Sequence, residues 1–324
     1  MSIKRGTREV AGLYRGTRAV ERVYRGTQEV YSAEEPVRVP TVLTLHLTST
    51  LAQTLRFTQS AANGVTIDWG DGSEPETVAG TINTETGATV YLAEASHTYA
   101  AAGDYTVTMT AGSGVTWGPG VAGQVLIGVG FLGQKSNKSD TYPQLTSFVI
   151  GSGCTALYPA AFCGCTALTS MEIPQSVTEI GWNAFRGCTG LAEVSIPASV
   201  ASFGTGAAAS GFGAVFYDCT ALRNVEIAAP EAGCAEAFIG CSALEKVWIR
   251  STVDSILPYS YTNKSDETYH YGLCTGANQS AVLYCEDTAA QPGWQSFWDK
   301  RDITTETSGY AVFEKVFGQT VRPW

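Results

Sequence analysis

Charge is scarce in this chain. Only 15% of its 324 residues are Asp, Glu, Lys or Arg, and it has three histidines and three methionines. So thin a supply of helix-favouring charge, set beside 35 glycines, argues for turns, short strands and repeats rather than long solvent-facing helices. No apolar run reaches the roughly 18 residues that cross a bilayer, so membrane insertion is not expected. No apolar stretch follows the opening MSIKRGT, which predicts synthesis in a cytoplasm without a secretory signal peptide. The cysteines number nine and none sits in a CxxC pair, while Cys163-Gly164-Cys165 is too tight for a zinc knuckle. The expectation is reduced interior thiols, not a disulfide framework. Signatures of catalysis are lacking too: there is no Gly-x-Ser-x-Gly elbow, phosphate loop or HExxH motif. His46, His97 and His270 are scattered, and no carboxylate pair is marked as a glycosidase couple. Neither an enzyme, a cofactor nor a metal centre is expected.

What charge there is, is unevenly placed. Residues 1–31 carry seven basic side chains against three acidic ones, about +4, and the remainder carries 13 against 27, about −14. An acidic body argues against nucleic acid as its partner. The basic head is either a solvated strand face or a surface that touches something acidic.

Internal periodicity carries the most information. Arg5-Gly6-Thr7, Arg15-Gly16-Thr17 and Arg25-Gly26-Thr27 recur every ten residues, with Val10, Val20 and Val30 in step, as are Leu13-Tyr14 and Val23-Tyr24. Gly-Thr marks turns, and the β-branched and aromatic residues between them favour short strands. Three such units bury too little apolar surface to stand alone, which predicts a homo-oligomer or attachment to a larger particle. These repeats resemble segments at the amino ends of phage tail and fibre proteins from gut bacteria. The resemblance implies an attachment segment over 1–35, in which Arg5, Tyr14, Arg15, Tyr24 and Arg25 are the candidate contacts to other virion proteins.

Beyond a linker around Pro36–Pro40, Val42–Thr48 alternates apolar and polar, with its valine and leucines expected inward. Then come Val65-Thr66-Ile67-Asp68-Trp69-Gly70-Asp71-Gly72-Ser73, His97-Thr98-Tyr99 and Gly103-Asp104-Tyr105-Thr106-Val107-Thr108-Met109. Trp69 is expected to fill a core, with Asp68 and Asp71 flanking a tight glycine turn and Asp104 bonding turn amides ahead of the next strand. Calcium held by Asp68, Asp71 and Asp104 is the alternative, though they lack the dense oxygen spacing of a loop site. This pairing of WGDGS with HTY and AGDYTVT resembles the PKD family. The resemblance implies an immunoglobulin-like sandwich, assigned to 36–115, with a connector over 116–141.

A second repeat begins near 142. Its units read Leu145-x-x-Phe148-x-Ile150, Leu168-x-x-Met171-x-Ile173, Leu191-x-x-Val194-x-Ile196, Leu222-x-x-Val225-x-Ile227 and Leu244-x-x-Val247-x-Ile249. Phe162/Cys165, Phe185/Cys188, Phe216/Cys219 and Phe238/Cys241 keep the same beat. One coil cannot bury its apolar face alone, but stacked coils align Leu, Ile, Phe and Cys into interior ladders. A column of cysteines is then a column of small hydrophobes, with Cys154 and Cys234 in further interior slots. The pattern from Cys165-Thr166-Ala167-Leu168 to Ala184-Phe185 is similar to the BspA-type leucine-rich-repeat family, which implies a solenoid over 142–300. Trp294–Trp298 is expected as a short amphipathic helical cap. Residues 301–324 form an extension that either adds a strand or lies along the body.

The fold class expected is therefore mainly β: short repeats, a sandwich, then a solenoid. Between the inward residues of each repeat strand lie outward pairs: Ser147/Val149, Ser170/Glu172, Glu193/Ser195, Asn224/Glu226 and Lys246/Trp248. Glu172, Glu193, Glu226, Lys246 and Trp248 make this row the candidate binding surface. Trp248 is either an exposed anchor or packed under a neighbouring loop. Tyr259, Tyr261, Tyr269 and Tyr271 are added to it, because Tyr with Ser and Asn is the composition of adaptable paratopes. The loop at 134–142, with the same Asn-Lys-Ser-Asp, and the excess at 204–211 read as insertions. The expected role is a virion surface protein that binds a host-surface protein or glycan. A structural virion part and a bacterial cell-surface adhesin are the alternatives.

Overall fold

The computed structural model describes residues 39–50, 52–84, 89–120, 131–132, 141–205, 215–229, 237–250 and 281–285, the side chains of 202, 203, 205 and 283 excepted. It also gives the backbone of the strands named below that lie outside those ranges. All regular structure among the described residues is strand. Residues 1–38 form one unit and residues 39–324 a second.

In the first unit the ten-residue repeat is three antiparallel hairpins. β1 (Lys4–Arg5) pairs with β2 (Arg8–Glu9), β3 (Tyr14–Arg15) with β4 (Arg18–Ala19), and β5 (Arg22–Arg25) with β6 (Gln28–Ser32). The register leaves just Gly-Thr between the two strands of each. Glycine leading a two-residue connection suits the turns whose twist matches paired strands. One repeat is thus one hairpin, which accounts for the period.

The second unit opens with β7 (Thr41–Leu47), β8 (Ala52–Gln59), β9 (Asn63–Asp68), β10 (Glu76–Asn83), β11 (Val90–Thr98), β12 (Gly103–Ala111), β13 (Trp117–Pro119) and β14 (Leu145–Val149). They form a continuous ladder in the order β13-β8-β11-β10-β9-β12-β7-β14. Midway, β10 leaves β9 for β11, with a register break between Val78 and Ala79. A bulge of this kind lets one strand cross from one sheet to the next, so the ladder folds back on itself as a sandwich. Leu43, Leu45 and Leu47 of β7 are buried with Leu55, Phe57, Ile67, Val107 and Met109. Val42 corrects the expected phase. It is out of step with those leucines and half-buried, paired with the exposed Val149 of β14.

That pairing is the junction of the molecule. β14 carries the first leucine unit, yet it runs antiparallel to β7 and belongs to the sandwich ladder. On the opposite edge, β13 pairs with β8 and bridges Cys154 through Trp117. Phe131 and Phe148 pack edge-on at 5.6 Å, and both pack on Phe162, the first ring of the repeats. Sandwich and repeats consequently share one hydrophobic core.

From there the chain coils. β15 (Ala156–Leu157), β17 (Glu179–Gly181) and β19 (Ser202–Thr205) stack as one parallel ladder, and β21 (Glu231–Ala232) pairs with β23 (Ser255–Ile256) in the same sense. The other ladder is β16 (Ser170–Glu172), β18 (Glu193–Ile196), β20 (Asn224–Ile227), β22 (Lys246–Ile249), β26 (Val282–Cys285) and β27 (Glu314–Phe317). Of the two readings for the carboxyl extension, the added strand is the one realised, because β27 extends β26. A hairpin of β24 (Tyr259–Thr262) and β25 (Thr268–Tyr271) lies between β23 and β26 in sequence.

Inside the coils the expected ladders are present. Phe162, Phe185, Phe216 and Phe238 stack at 5.5, 5.3 and 5.6 Å with ring tilts of 16°, 7° and 7°. Cys188, Cys219 and Cys241 are buried, and each thiol donates to the carbonyl of the preceding coil's phenylalanine: Phe162, Phe185 and Phe216. Burial pushes the Cys154 and Cys241 thiols up to about 12 and raises Cys188 and Cys219 as well, so all four stay protonated at neutral pH. The residue before each ladder cysteine is left-handed: Gly164, Gly187, Asp218 and Gly240 all have positive φ. Glycine takes that corner without strain, and Asp218 is among the few side-chain types that visit it. The slot expected for Cys234, the insertion at 206–211 and the cap at 294–298 lie outside the described residues.

Candidate functional site

Parallel pairing in register turns each outward position into a row across the coils. Ser170, Glu193, Asn224, Lys246 and Val282 form one row. Glu172, Ser195, Glu226, Trp248 and Tyr284 form the other. Of the candidate residues, Glu172, Glu226 and Trp248 therefore fall together, with Glu193 and Lys246 one row over.

An open groove of about 550 Å³ follows the second row at the carboxyl ends of the strands. Glu172, Gln175, Ser195, Glu226 and Arg250 supply its polar lining, and Pro197, Ala198 and Ala228 part of the apolar remainder. Glu226 is its fixed centre. One carboxylate oxygen accepts the Arg250 guanidinium at 2.7 Å, and the other accepts the Ser195 hydroxyl at 3.2 Å. Arg250 also lies over the Trp248 ring, 4.4 Å from its centroid. Held between a ring and a carboxylate, the guanidinium is positioned before anything binds. Such preorganisation lowers the ordering cost of recognition.

Trp248 itself is 3% exposed. It is not a projecting anchor: the indole is the platform under Arg250, and the loop expected to cover it lies outside the described residues. Arg250 was not among the candidates, and one signal could have found it. The residue after each unit's final isoleucine is Gly151, Pro174, Pro197 or Ala228 in the earlier units and arginine only at 250. A cation replacing a small apolar residue at a registered position marks a place where the ladder's demands have been set aside.

Tyr259, Tyr261, Tyr269 and Tyr271 lie in the hairpin, where Tyr259 is opposite Tyr271 and Tyr261 opposite Tyr269. The two-residue alternation of strands puts these four positions on one face of the ribbon. Arg5, Tyr14, Arg15, Tyr24 and Arg25 are in the separate amino-terminal unit, on strands β1, β3 and β5.

In the sandwich, the three aspartates are engaged locally. Asp68 accepts the Gly70 amide at 2.9 Å, and Asp71 accepts the Ser73 hydroxyl at 2.6 Å and its amide at 3.1 Å. Asp71 also pairs with His97 at 2.7 Å, and His97 stacks on Trp69 at 5.0 Å. Trp69 is buried, as expected, and receives the Tyr99 hydroxyl on its carbonyl at 2.9 Å. Asp104 departs from its expected part, since its carboxylate pairs with His46 on β7 at 2.6 Å rather than with turn amides. The three carboxylates thus serve separate partners, the third on a different strand pair.

The Ser73 hydroxyl, followed by the His97 ring, holds the Asp71 carboxyl down at about 2, against an ordinary 3.8. The sign follows from linkage. Asp71's contribution to stability is complete above pH 3.8 and disappears as pH falls through 2. A carboxyl-carbon NMR titration is expected to show a midpoint near 2 in the parent, moving up toward 3.8 in Ser73→Ala. An unmoved midpoint would show that Ser73 does not set it.

Residues 140–268 match the family described as BspA type leucine rich repeat region, in six copies. That is one copy more than the five leucine-registered units. Among solved structures, a leucine-rich repeat protein from Bacteroides ovatus ATCC 8483, determined at 1.19 Å, is 23% identical. The match covers 43% of this chain and 33% of that one, with a TM-score of 0.26. The chain thus spans about a third of that protein's length. No curated protein matches the chain.

Proposed function

We propose, from a leucine-rich-repeat region that fills residues 140–268, that the chain is a non-enzymatic binding protein whose repeat face contacts a surface ligand. The observation that carries this reading is the groove along Glu172, Ser195, Glu226 and Arg250, with its preset guanidinium–carboxylate pair. Adjacent hydrogen-bonding groups beside a small apolar strip suit a sugar or a polar peptide. The finer reading is a phage virion surface protein, a tail or fibre adhesin made in the host cytoplasm. Its amino-terminal hairpins attach to other virion proteins, and its repeats meet a host-surface protein or glycan. It rests on the likeness of the ten-residue repeats to phage tail segments and of the sandwich motifs to the PKD family. A homo-oligomer follows from hairpins too short to bury their own surface. A bacterial cell-surface adhesin remains the reading should the chain prove host-encoded.

A purely structural virion role draws on a different observation, the continuous core through sandwich and repeats, which would suit a rigid spacer. Labelled full-length chain incubated with intact cells of gut bacteria separates the two readings. On a cell type that binds, Glu172→Gln combined with Arg250→Ala is expected to weaken binding about ten- to hundredfold, as for central interface residues. Equal binding by parent and variant would remove the groove from the proposal, and no binding to any cell type would favour the spacer. Antibody labelling of purified virions in the electron microscope tests the particle assignment.

A further inference from the structure

The hairpins of the first unit place like charges opposite one another. Arg5 is across from Arg8 and Arg15 across from Arg18, each pair flanking a Gly-Thr connection, whereas the third hairpin sets Arg25 opposite Gln28. Residues directly opposite in an antiparallel ladder share a face, with Cβ atoms about 5 Å apart, and like charges there destabilise the pair. Hairpins with two paired positions each have little to offset such a cost. The same unfavourable placement nonetheless recurs at the same step of the repeat. An anion between the two cationic positions turns the cost into a gain, and guanidinium forks match an oxyanion's geometry.

We propose that the two Arg-Gly-Thr-Arg hairpins are carboxylate clasps, and that residues 1–32 dock the chain on an acidic protein surface by engaging two carboxylates in parallel. This rests on the reading of the segment as an attachment element and names the chemistry it reads. Acidic residues within the hairpins select a protein over a nucleic acid. Glu9 lies opposite Lys4, Glu29 lies opposite Tyr24, and Glu21 precedes Arg22. Those carboxylates would repel a continuous phosphate backbone, whose binding needs a dense run of cations. Discrete carboxylates can meet the paired arginine positions and avoid the glutamates. Each contact is weak alone, and a ten-residue repeat multiplies it through effective concentration.

Two double variants of the full chain, equal in net charge, test this against immobilised poly-L-glutamate. Arg8→Gln with Arg18→Gln breaks both clasps and leaves the Arg/Gln pairing that the third hairpin already has. Lys4→Gln with Arg22→Gln removes the same charge and leaves both clasps intact. The first is expected to weaken binding about tenfold and the second less than about threefold. A duplex oligonucleotide should not compete. Equal losses would reduce the effect to net charge and overturn the clasp, and tighter binding to the duplex would overturn the choice of partner. Should virion labelling fail while the poly-L-glutamate result holds, the particle assignment falls and the clasp stands.

Discussion

Phe185→Ala is expected to destabilise the body formed by residues 39–324 by about 3–5 kcal/mol, read as a lower urea midpoint at unchanged slope. Phe185 is fully buried and stacked on both sides, by Phe162 and Phe216. Truncation removes two ring contacts, each worth about 0.5–1.5 kcal/mol beyond the area they cover. The cavity has little means of closing. Phe185 N bonds Val215 O, Phe162 N bonds Ala184 O, and the Cys219 thiol bonds the Phe185 carbonyl, so the corner is pinned on both flanks. In a stack where each coil leans only on its neighbours, a mid-ladder loss weakens two interfaces at once. A cost below about 1 kcal/mol would mean the coils close up freely, which interlocked rings at 5.3 Å do not allow.

That ladder was legible because the residues obey one rule. Leu, Ile, Phe and Cys recur in step wherever a coil must meet the next, and Phe162 through Phe238 fall where the beat puts them. The groove's row was legible for the same reason: Glu172, Glu226 and Trp248 alternate with inward residues. Trp248's packing was not, since alternation states which side of the sheet a residue is on and nothing about what covers it. Arg250 lies past the strand, where periodicity is silent. The double role of β14 was hidden more deeply. Leu145-x-x-Phe148-x-Ile150 satisfies the repeat, but a short apolar strand suits a parallel or an antiparallel neighbour equally, and β7 competes for it from a hundred residues upstream. Val42 went astray because valine and leucine are both apolar, while pairing with β14 tolerates a half-covered valine on the outer face. For Asp104, local turn chemistry was the obvious partner, and a cross-strand histidine prevailed.

The seam built by β14 and β13 makes the second large effect predictable. Gly118→Ala is expected to cost about 3 kcal/mol, at the upper end of what overpacking does. A Cβ there would lie 2.2 Å from the Ala156 carbonyl oxygen and 2.8 Å from the Tyr158 ring, and the first of these is backbone that cannot swing aside. β13 is held on one side by β8 of the sandwich and on the other by the first coil, through Trp117 N to Gly153 O, Thr155 N to Trp117 O and Tyr158 N to Pro119 O. Relief of the clash has to lift one side away. Gly103→Ala, whose Cβ meets nothing closer than the Tyr105 ring at 3.7 Å, is the matched control and should melt within about 1 kcal/mol of the parent. Calorimetry distinguishes what the seam does. One transition in the parent, splitting or broadening in Gly118→Ala, means that sandwich and repeats unfold as a unit because β13 and β14 join them. Two transitions already present in the parent would show that they unfold separately and that the shared core around Phe131, Phe148 and Phe162 couples them weakly. In the first case the groove at Glu226 and Arg250 is carried on a body with no hinge beneath it, so its direction is fixed by the sandwich.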